Sequence, residues 1–211
     1  KDKRTPLINT MINYNGDIKH FDGNSVEKMP LDFVPPDYEG IDVSKYLSLM
    51  ELPNPMHSLW SNGFWNKIQL AKGCYWAKCA FCDTSLPYIS NYHPFNEVAI
   101  VDGMERVIKQ TASTGFHFVD EAAPPLLLRK LAEEIINRGL TVTWWTNIRF
   151  ETTFSHDLCK LLANSGCIAL TGGLEVASNR LLGLMNKGVT IEQAAIACKN
   201  MQDAGIMVHA Y

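Results

Sequence analysis

The sequence predicts an α/β fold built on a parallel sheet, and three observations carry that prediction. From Asn66 onward, short segments rich in β-branched and aromatic residues alternate with longer ones whose apolar residues recur at helical spacing. The helical segments are long enough to serve as crossovers between parallel strands. The unusual polar residues fall just after the strand candidates, where folds of this class place their active sites. Periodicity alone leaves a doubly wound sheet and a barrel both open.

Residues 1–65 read as a lead-in of different texture, rich in Asn, Asp and Pro, with Pro30, Pro35 and Pro36 in its middle. It would connect to a core domain over residues 66–211. Asn15-Gly16 between Leu7–Tyr14 and Asp17–Phe21 predicts a two-residue hairpin turn. Asp42 to Leu47 predicts the start of a short helix. In the core, Lys67–Ala71 is the first strand candidate and ends just before Gly73 and Cys74. Val98, Val101, Met104, Val107 and Ile108 predict a helix that stops near Gly115. Phe116–Val119 is the second strand, and Leu127, Leu128, Leu131 and Ile135 mark the helix closed by Gly139. Leu140–Thr146 is the third strand, followed by a helix from about His156 to Asn164. Cys167–Thr171 is the fourth strand, running into Gly172-Gly173-Leu174-Glu175. Arg180–Met185 and Ile191–Ala204 are helical, and Gly205–Tyr211 opens a fifth strand.

The 211 residues are 46% hydrophobic, enough for one sizeable core, and the formal net charge is −3. Scattered Lys and Arg give no nucleic-acid surface, and no apolar run is long enough to span a membrane. The basic start at Lys1 to Arg4 is followed by polar residues where a signal peptide needs an apolar stretch. The expectation is a soluble, cytoplasmic protein. In that compartment, three disulfides among the six cysteines are not expected. Cys159, Cys167 and Cys198 each sit in apolar, periodic surroundings and read as ordinary buried cysteines.

Cys74, Cys79 and Cys82 are different. They form a C-x4-C-x2-C cluster directly after a strand candidate. Thiolates suit zinc and iron–sulfur clusters. A cubane [4Fe–4S] cluster usually takes four thiolates, so three leave one iron open to a substrate or cofactor. The alternative is a structural zinc site with His93 as fourth ligand.

At these residues the sequence resembles the radical S-adenosylmethionine superfamily, with Phe81 just before the last cysteine and one residue more than the usual C-x3-C first gap. Phe118 to Pro125, Trp144 to Arg149, Gly172 to Glu175, Met185 to Gly188 and Ala204 to Ile206 resemble further motifs in the expected order. They are similar to those of the subgroup that often carries an upstream cobalamin-binding domain. The resemblance implies a partial (βα) TIM-like barrel, with this chain stopping near the fifth strand. It implies that Cys74, Cys79 and Cys82 hold three irons of a [4Fe–4S] cluster and that S-adenosylmethionine chelates the fourth. One electron, from a flavodoxin- or ferredoxin-like donor, would release a 5′-deoxyadenosyl radical that acts on an unidentified small molecule or peptide. Cobalamin would enter only through a domain outside this chain, which lacks an Asp-x-His-x-x-Gly motif. The rivals are the zinc-stabilised module and an iron–sulfur electron carrier without S-adenosylmethionine chemistry.

Further site candidates follow from the same resemblance. Asp120 or Glu121 would meet the methionine ammonium, or else cap the helix that follows. Glu175 would bond the ribose or the ammonium, or stand as a solvated loop acid. Arg149 would fork onto the methionine carboxylate, or form a surface ion pair. Asn147 would add a polar contact. Phe81 and Tyr75 would pack near the adenine, or simply in the core. Trp144 and Trp145 are both expected in the core, although adjacent strand residues point to opposite faces. His209 is a candidate for the barrel lumen.

Overall fold

A computed structural model describes residues 10–21, 32–46 and 65–211. The start of the first hairpin strand at Leu7, Pro30 and the short helix's continuation at Leu47 lie outside them. The chain forms two compact units, residues 1–32 and 33–211. In the first, β1 (Thr10–Tyr14) and β2 (Asp17–Phe21) pair antiparallel around Asn15 and Gly16. Both turn residues have positive φ, 55° and 91°, which a hairpin of this twist requires.

The second unit contains a sheet whose five strands lie in chain order and all run parallel: β3 (Asn66–Ile68), β6 (Gly115–Phe118), β7 (Thr143–Ile148), β8 (Cys167–Gly172) and β9 (Met207–Ala210). A doubly wound sheet reverses its strand order at a switch point. Here every crossover advances the same way, and with right-handed connections all the helices fall on one face. Among the described residues β3 and β9 are both edges, so the sheet is an open, partial barrel.

The helices on that face are α2 (Glu97–Thr111), α3 (Pro125–Asn137), α4 (His156–Asn164) and α6 (Ile191–Asp203), with α2 packing on α3, α3 on α4 and α4 on α6. Their starts are chemically marked. Asn96 and Ser155 accept hydrogen bonds from Ala99 and Leu158, Pro125 begins α3, and Thr190 with Gln193 forms a capping box on α6. The core between sheet and helices includes Phe116, Phe118 and Trp144 from the strands and Ile100, Met104, Leu128 and Leu131 from the helices. Residues 33–46, which the sequence assigns to the lead-in, belong to this unit. Phe33 and Pro35 occupy the space over Gly103 of α2, and Arg106 pairs with Asp37 at 3.0 Å.

Two sequence expectations shift. The first strand candidate splits into β3 and a two-residue β4 (Ala71–Lys72), which pairs antiparallel with β5 (His93–Pro94). The split has a physical cause. The Asp120 carboxylate accepts hydrogen bonds from Leu70 N at 2.9 Å and Ala71 N at 2.8 Å, drawing the chain away from the main sheet. The third strand begins at Thr143 rather than Leu140 and puts the tryptophans on opposite faces. Trp144 is fully buried and donates to Ser165 O at 3.1 Å. Trp145 instead stacks on His117 across the sheet's other face, the rings 3.6 Å apart and 7° from parallel, so it does not join Trp144 in the core. Burial, with Lys67 nearby, pushes the His117 imidazole down to about 4, so the stack is neutral.

Candidate functional site

A cavity of about 430 Å³ lies at the C-terminal ends of the parallel strands. Glu121 and Ala122 come to it from just after β6, Arg149 from β7, Gly173 and Glu175 from β8, and Tyr211 from β9. The other wall is the loop after β4, which brings Cys74, Cys79, Phe81 and Cys82 to the same cavity.

That loop is fastened on two sides. Cys74 N donates to Ile89 O at 2.8 Å, in a segment that includes the four-residue helix α1 (Pro87–Ser90) between β4 and β5. On the other side, the turn after α5 (Asn179–Leu184) holds it through three hydrogen bonds. Ala80 N reaches Met185 O at 2.8 Å, Trp76 Nε1 reaches Asn186 O at 2.9 Å, and Asn186 Nδ2 reaches Lys78 O at 2.9 Å. Within the four-residue first gap, Ala77 takes a left-handed conformation, φ 44°.

Gly188 makes this clasp possible. Its φ is +74°, and a β-carbon there would lie 2.1 Å from the Trp76 ring. Gly188→Ala is therefore expected to cost about 2–4 kcal/mol, from left-handed backbone strain and displacement of an aromatic ring. Thermal unfolding monitored by tryptophan fluorescence checks this. Gly183→Ala in α5, where a β-carbon meets nothing within 4 Å, serves as the control and should be unchanged or stabilised by up to about 1 kcal/mol.

The sequence candidates separate into those that line the cavity and those that do not. The three clustered cysteines, Phe81, Glu121, Glu175 and Arg149 line it. Asp120 does not, because its carboxylate is spent on Leu70 and Ala71. Asn147 donates to Asp120 O at 3.0 Å, bracing the same turn. Tyr75 points elsewhere, donating to Glu151 Oε1 at 3.0 Å and meeting Tyr92 edge-on. Burial, then the Glu151 charge, pushes its hydroxyl above the usual tyrosine range. His93 sits edge-on to Phe95 in β5 and is not on the cavity wall. His209 shares a 2.9 Å hydrogen bond with Thr171 on the neighbouring strand.

Two further residues complete the wall. Lys187, only 7% exposed, pairs with Glu175 at 2.7 Å and lies 5.5 Å from the Phe81 ring centre. Tyr211 O accepts from Leu174 N and Glu175 N at 2.7 and 2.9 Å, which fixes the turn carrying Glu175. The carboxylate folds back over Gly173, where a β-carbon would lie 2.2 Å from Glu175 Oε1. The Met185 to Gly188 motif was the sequence signal for Lys187, but its spacing does not say that the lysine turns inward.

Arg149 is buried and fully engaged. Its guanidinium lies 4.3 Å from the Trp76 ring centre, Nε pairs with Glu151 at 2.8 Å, Nη2 donates to Lys187 O, and Nη1 stands 4.0 Å from Cys79 Sγ.

The three clustered thiols stand together on the cavity wall. They share one cavity, yet among the described residues no three Cys, His, Asp or Glu side chains converge on one metal position. Desolvation and the neighbouring Cys79 and Cys74 push the Cys82 thiol up, against the pull of Lys187.

No family model matches the chain. In sequence it is 28% identical over 189 residues to the anaerobic magnesium-protoporphyrin IX monomethyl ester cyclase of Rubrivivax gelatinosus, a match covering 85% of this chain and 31% of the cyclase. The chain thus spans about a third of that relative's length. In structure it matches the cobalamin-dependent S-adenosylmethionine radical enzyme OxsB with a TM-score of 0.64 at 18% identity, covering 94% of this chain and 28% of OxsB. It matches the radical S-adenosylmethionine methyltransferase TsrM of Kitasatospora setae, solved with cobalamin and a [4Fe–4S] cluster, with a TM-score of 0.60 at 19% identity, covering 95% of this chain and 40% of TsrM. In sequence this chain is thus similar to an anaerobic cyclase, and its open parallel sheet is similar in fold to radical S-adenosylmethionine enzymes, the cobalamin-dependent OxsB among them.

Proposed function

We propose that this chain is the core of a radical S-adenosylmethionine enzyme in which Cys74, Cys79 and Cys82 hold a [4Fe–4S] cluster. The observation that carries the reading is the cavity itself. Three thiols, two acids and a buried lysine share one cavity at the strands' C-terminal ends. A bound cluster and S-adenosylmethionine would together supply reductive cleavage to a 5′-deoxyadenosyl radical.

The chain's own residues orient that chemistry. Glu121 is the acid after β6 that remains unused by the fold and faces the cavity, so it is assigned to the methionine ammonium. Glu175, held in place by Lys187, offers a carboxylate for the ribose hydroxyls. Phe81, 56% exposed, provides an apolar surface for the adenine. The substrate is an unidentified small molecule or peptide, and the reductant is a one-electron donor of the flavodoxin or ferredoxin type. Any cobalamin would belong to a domain outside this chain. Among the described residues, no helix is long and apolar enough to cross a membrane.

The test is anaerobic reconstitution with iron and sulfide, followed by metal analysis and EPR of the reduced cluster. The reading expects iron uptake and a spectrum altered by added S-adenosylmethionine. Stoichiometric zinc without iron would leave the zinc module in its place. Iron uptake with a spectrum indifferent to S-adenosylmethionine would leave an electron carrier.

A further inference from the structure

Arg149 is held far more tightly than a surface ion pair requires. Its guanidinium lies over the Trp76 ring, and two of its nitrogens are committed to Glu151 and to Lys187 O. These contacts come from three separate stretches of chain, so its orientation is over-determined. The nitrogen left over, Nη1, faces Cys79 Sγ at 4.0 Å. The residue is 4% exposed, so its charge is poorly screened by solvent.

We propose that Arg149 sets the reduction potential of the cluster by donating a charge-assisted hydrogen bond to the Cys79 thiolate. The inference rests on the cluster reading above and adds a role for this residue. A guanidinium stays protonated under all working conditions, so it presents a permanent positive charge. When one electron enters the cluster from an external reductant, one negative charge is added next to that guanidinium and no proton moves. A donor aimed at a cluster sulfur stabilises the more negative, reduced state and raises the potential. Glu151 moderates the effect. Its carboxylate neutralises part of the guanidinium charge and is itself shared with the Tyr75 hydroxyl.

The experiment uses the 211-residue chain reconstituted anaerobically with iron and sulfide, alongside Arg149→Gln, Arg149→Lys and Glu151→Gln. Iron and sulfide are counted per chain. The reduced fraction is then followed by EPR in a dithionite redox titration without S-adenosylmethionine. Arg149→Gln is expected to keep its iron and to show about a tenfold lower ratio of reduced to oxidised cluster at a fixed poise, ~59 mV for a one-electron couple. Arg149→Lys, which keeps the charge but loses the planar fork, should fall between. Glu151→Gln, which removes the countercharge while leaving the stack on Trp76, should move the ratio severalfold the other way.

A fully loaded Arg149→Gln with the unaltered ratio would overturn the assignment. Should Arg149→Gln fail to fold or to hold iron, Glu151→Gln decides: a shift toward the reduced state supports the role, and an unchanged ratio sinks it. If the unmodified chain itself takes up no iron, the cluster reading falls and this inference falls with it. That outcome is distinct from an unchanged potential in a loaded cluster.

Discussion

Cys79→Ala is expected to abolish both stable cluster assembly and 5′-deoxyadenosine formation while leaving the fold standing. The thiol lines the cavity and is half-buried, and its Sγ faces the Arg149 guanidinium rather than the apolar core. Removing it deletes one of three thiolate ligands, and two cannot retain a cubane against competing thiols in solution. The apo chain should lose less than about 1 kcal/mol, because little apolar surface changes burial. Circular dichroism and thermal unfolding test that half of the prediction; iron content and product analysis test the other. Cys159→Ala is the matched control. Cys159 is fully buried, and burial pushes its thiol up to about 11, so it is a poor ligand. That variant should bind iron normally. Undiminished 5′-deoxyadenosine from Cys79→Ala would show that the ligand assignment is wrong.

The sequence reveals the βα rhythm because amphipathic helices and buried strands impose periods that survive without knowledge of neighbours. It marks the cysteine loop because three thiols at short spacing are rare outside metal sites. The choice between a doubly wound sheet and a barrel-like one is not local. It depends on whether the strand order reverses, which only the pairing of β3 with β6 and β8 with β9 reveals. The roles of acids and bases are equally non-local. Asp120 and Glu121 are neighbours in the chain, yet one carboxylate turns back to backbone donors some fifty positions earlier and the other faces the cavity. Arg149 reads as a ligand for a carboxylate because arginine after a strand is suited to that task. Its partners, Trp76, Glu151 and Lys187 O, come from three places that no spacing rule links. Trp144 and Trp145 show the opposite case, where strand alternation alone places them on different faces.

Asp120→Ala is expected to cost about 2–4 kcal/mol, because two buried backbone N–H groups lose the carboxylate that accepts from them. The damage should be local to the point where β3 gives way to β4, and so reach the base of the cysteine loop. Asp120 also carries a pH signature. Its carboxylate is 1% exposed, and desolvation outweighs the two backbone hydrogen bonds, raising its value from 3.8 to about 6. A group whose folded value is raised holds its proton more tightly in the native state. Its contribution is therefore fully present below about pH 4 and is lost as pH rises through about 6. The swing corresponds to about 3 kcal/mol at most. Urea unfolding at steps from about pH 4.5 to 7.5 should show the chain losing this component, with Asp120→Ala lacking it. A variant that follows the same slope as the unmodified chain would mean that Asp120 ionises as freely when folded as when unfolded. The hydrogen bonds would then offset burial, and the turn would be held by a full carboxylate charge at every pH above its ordinary range.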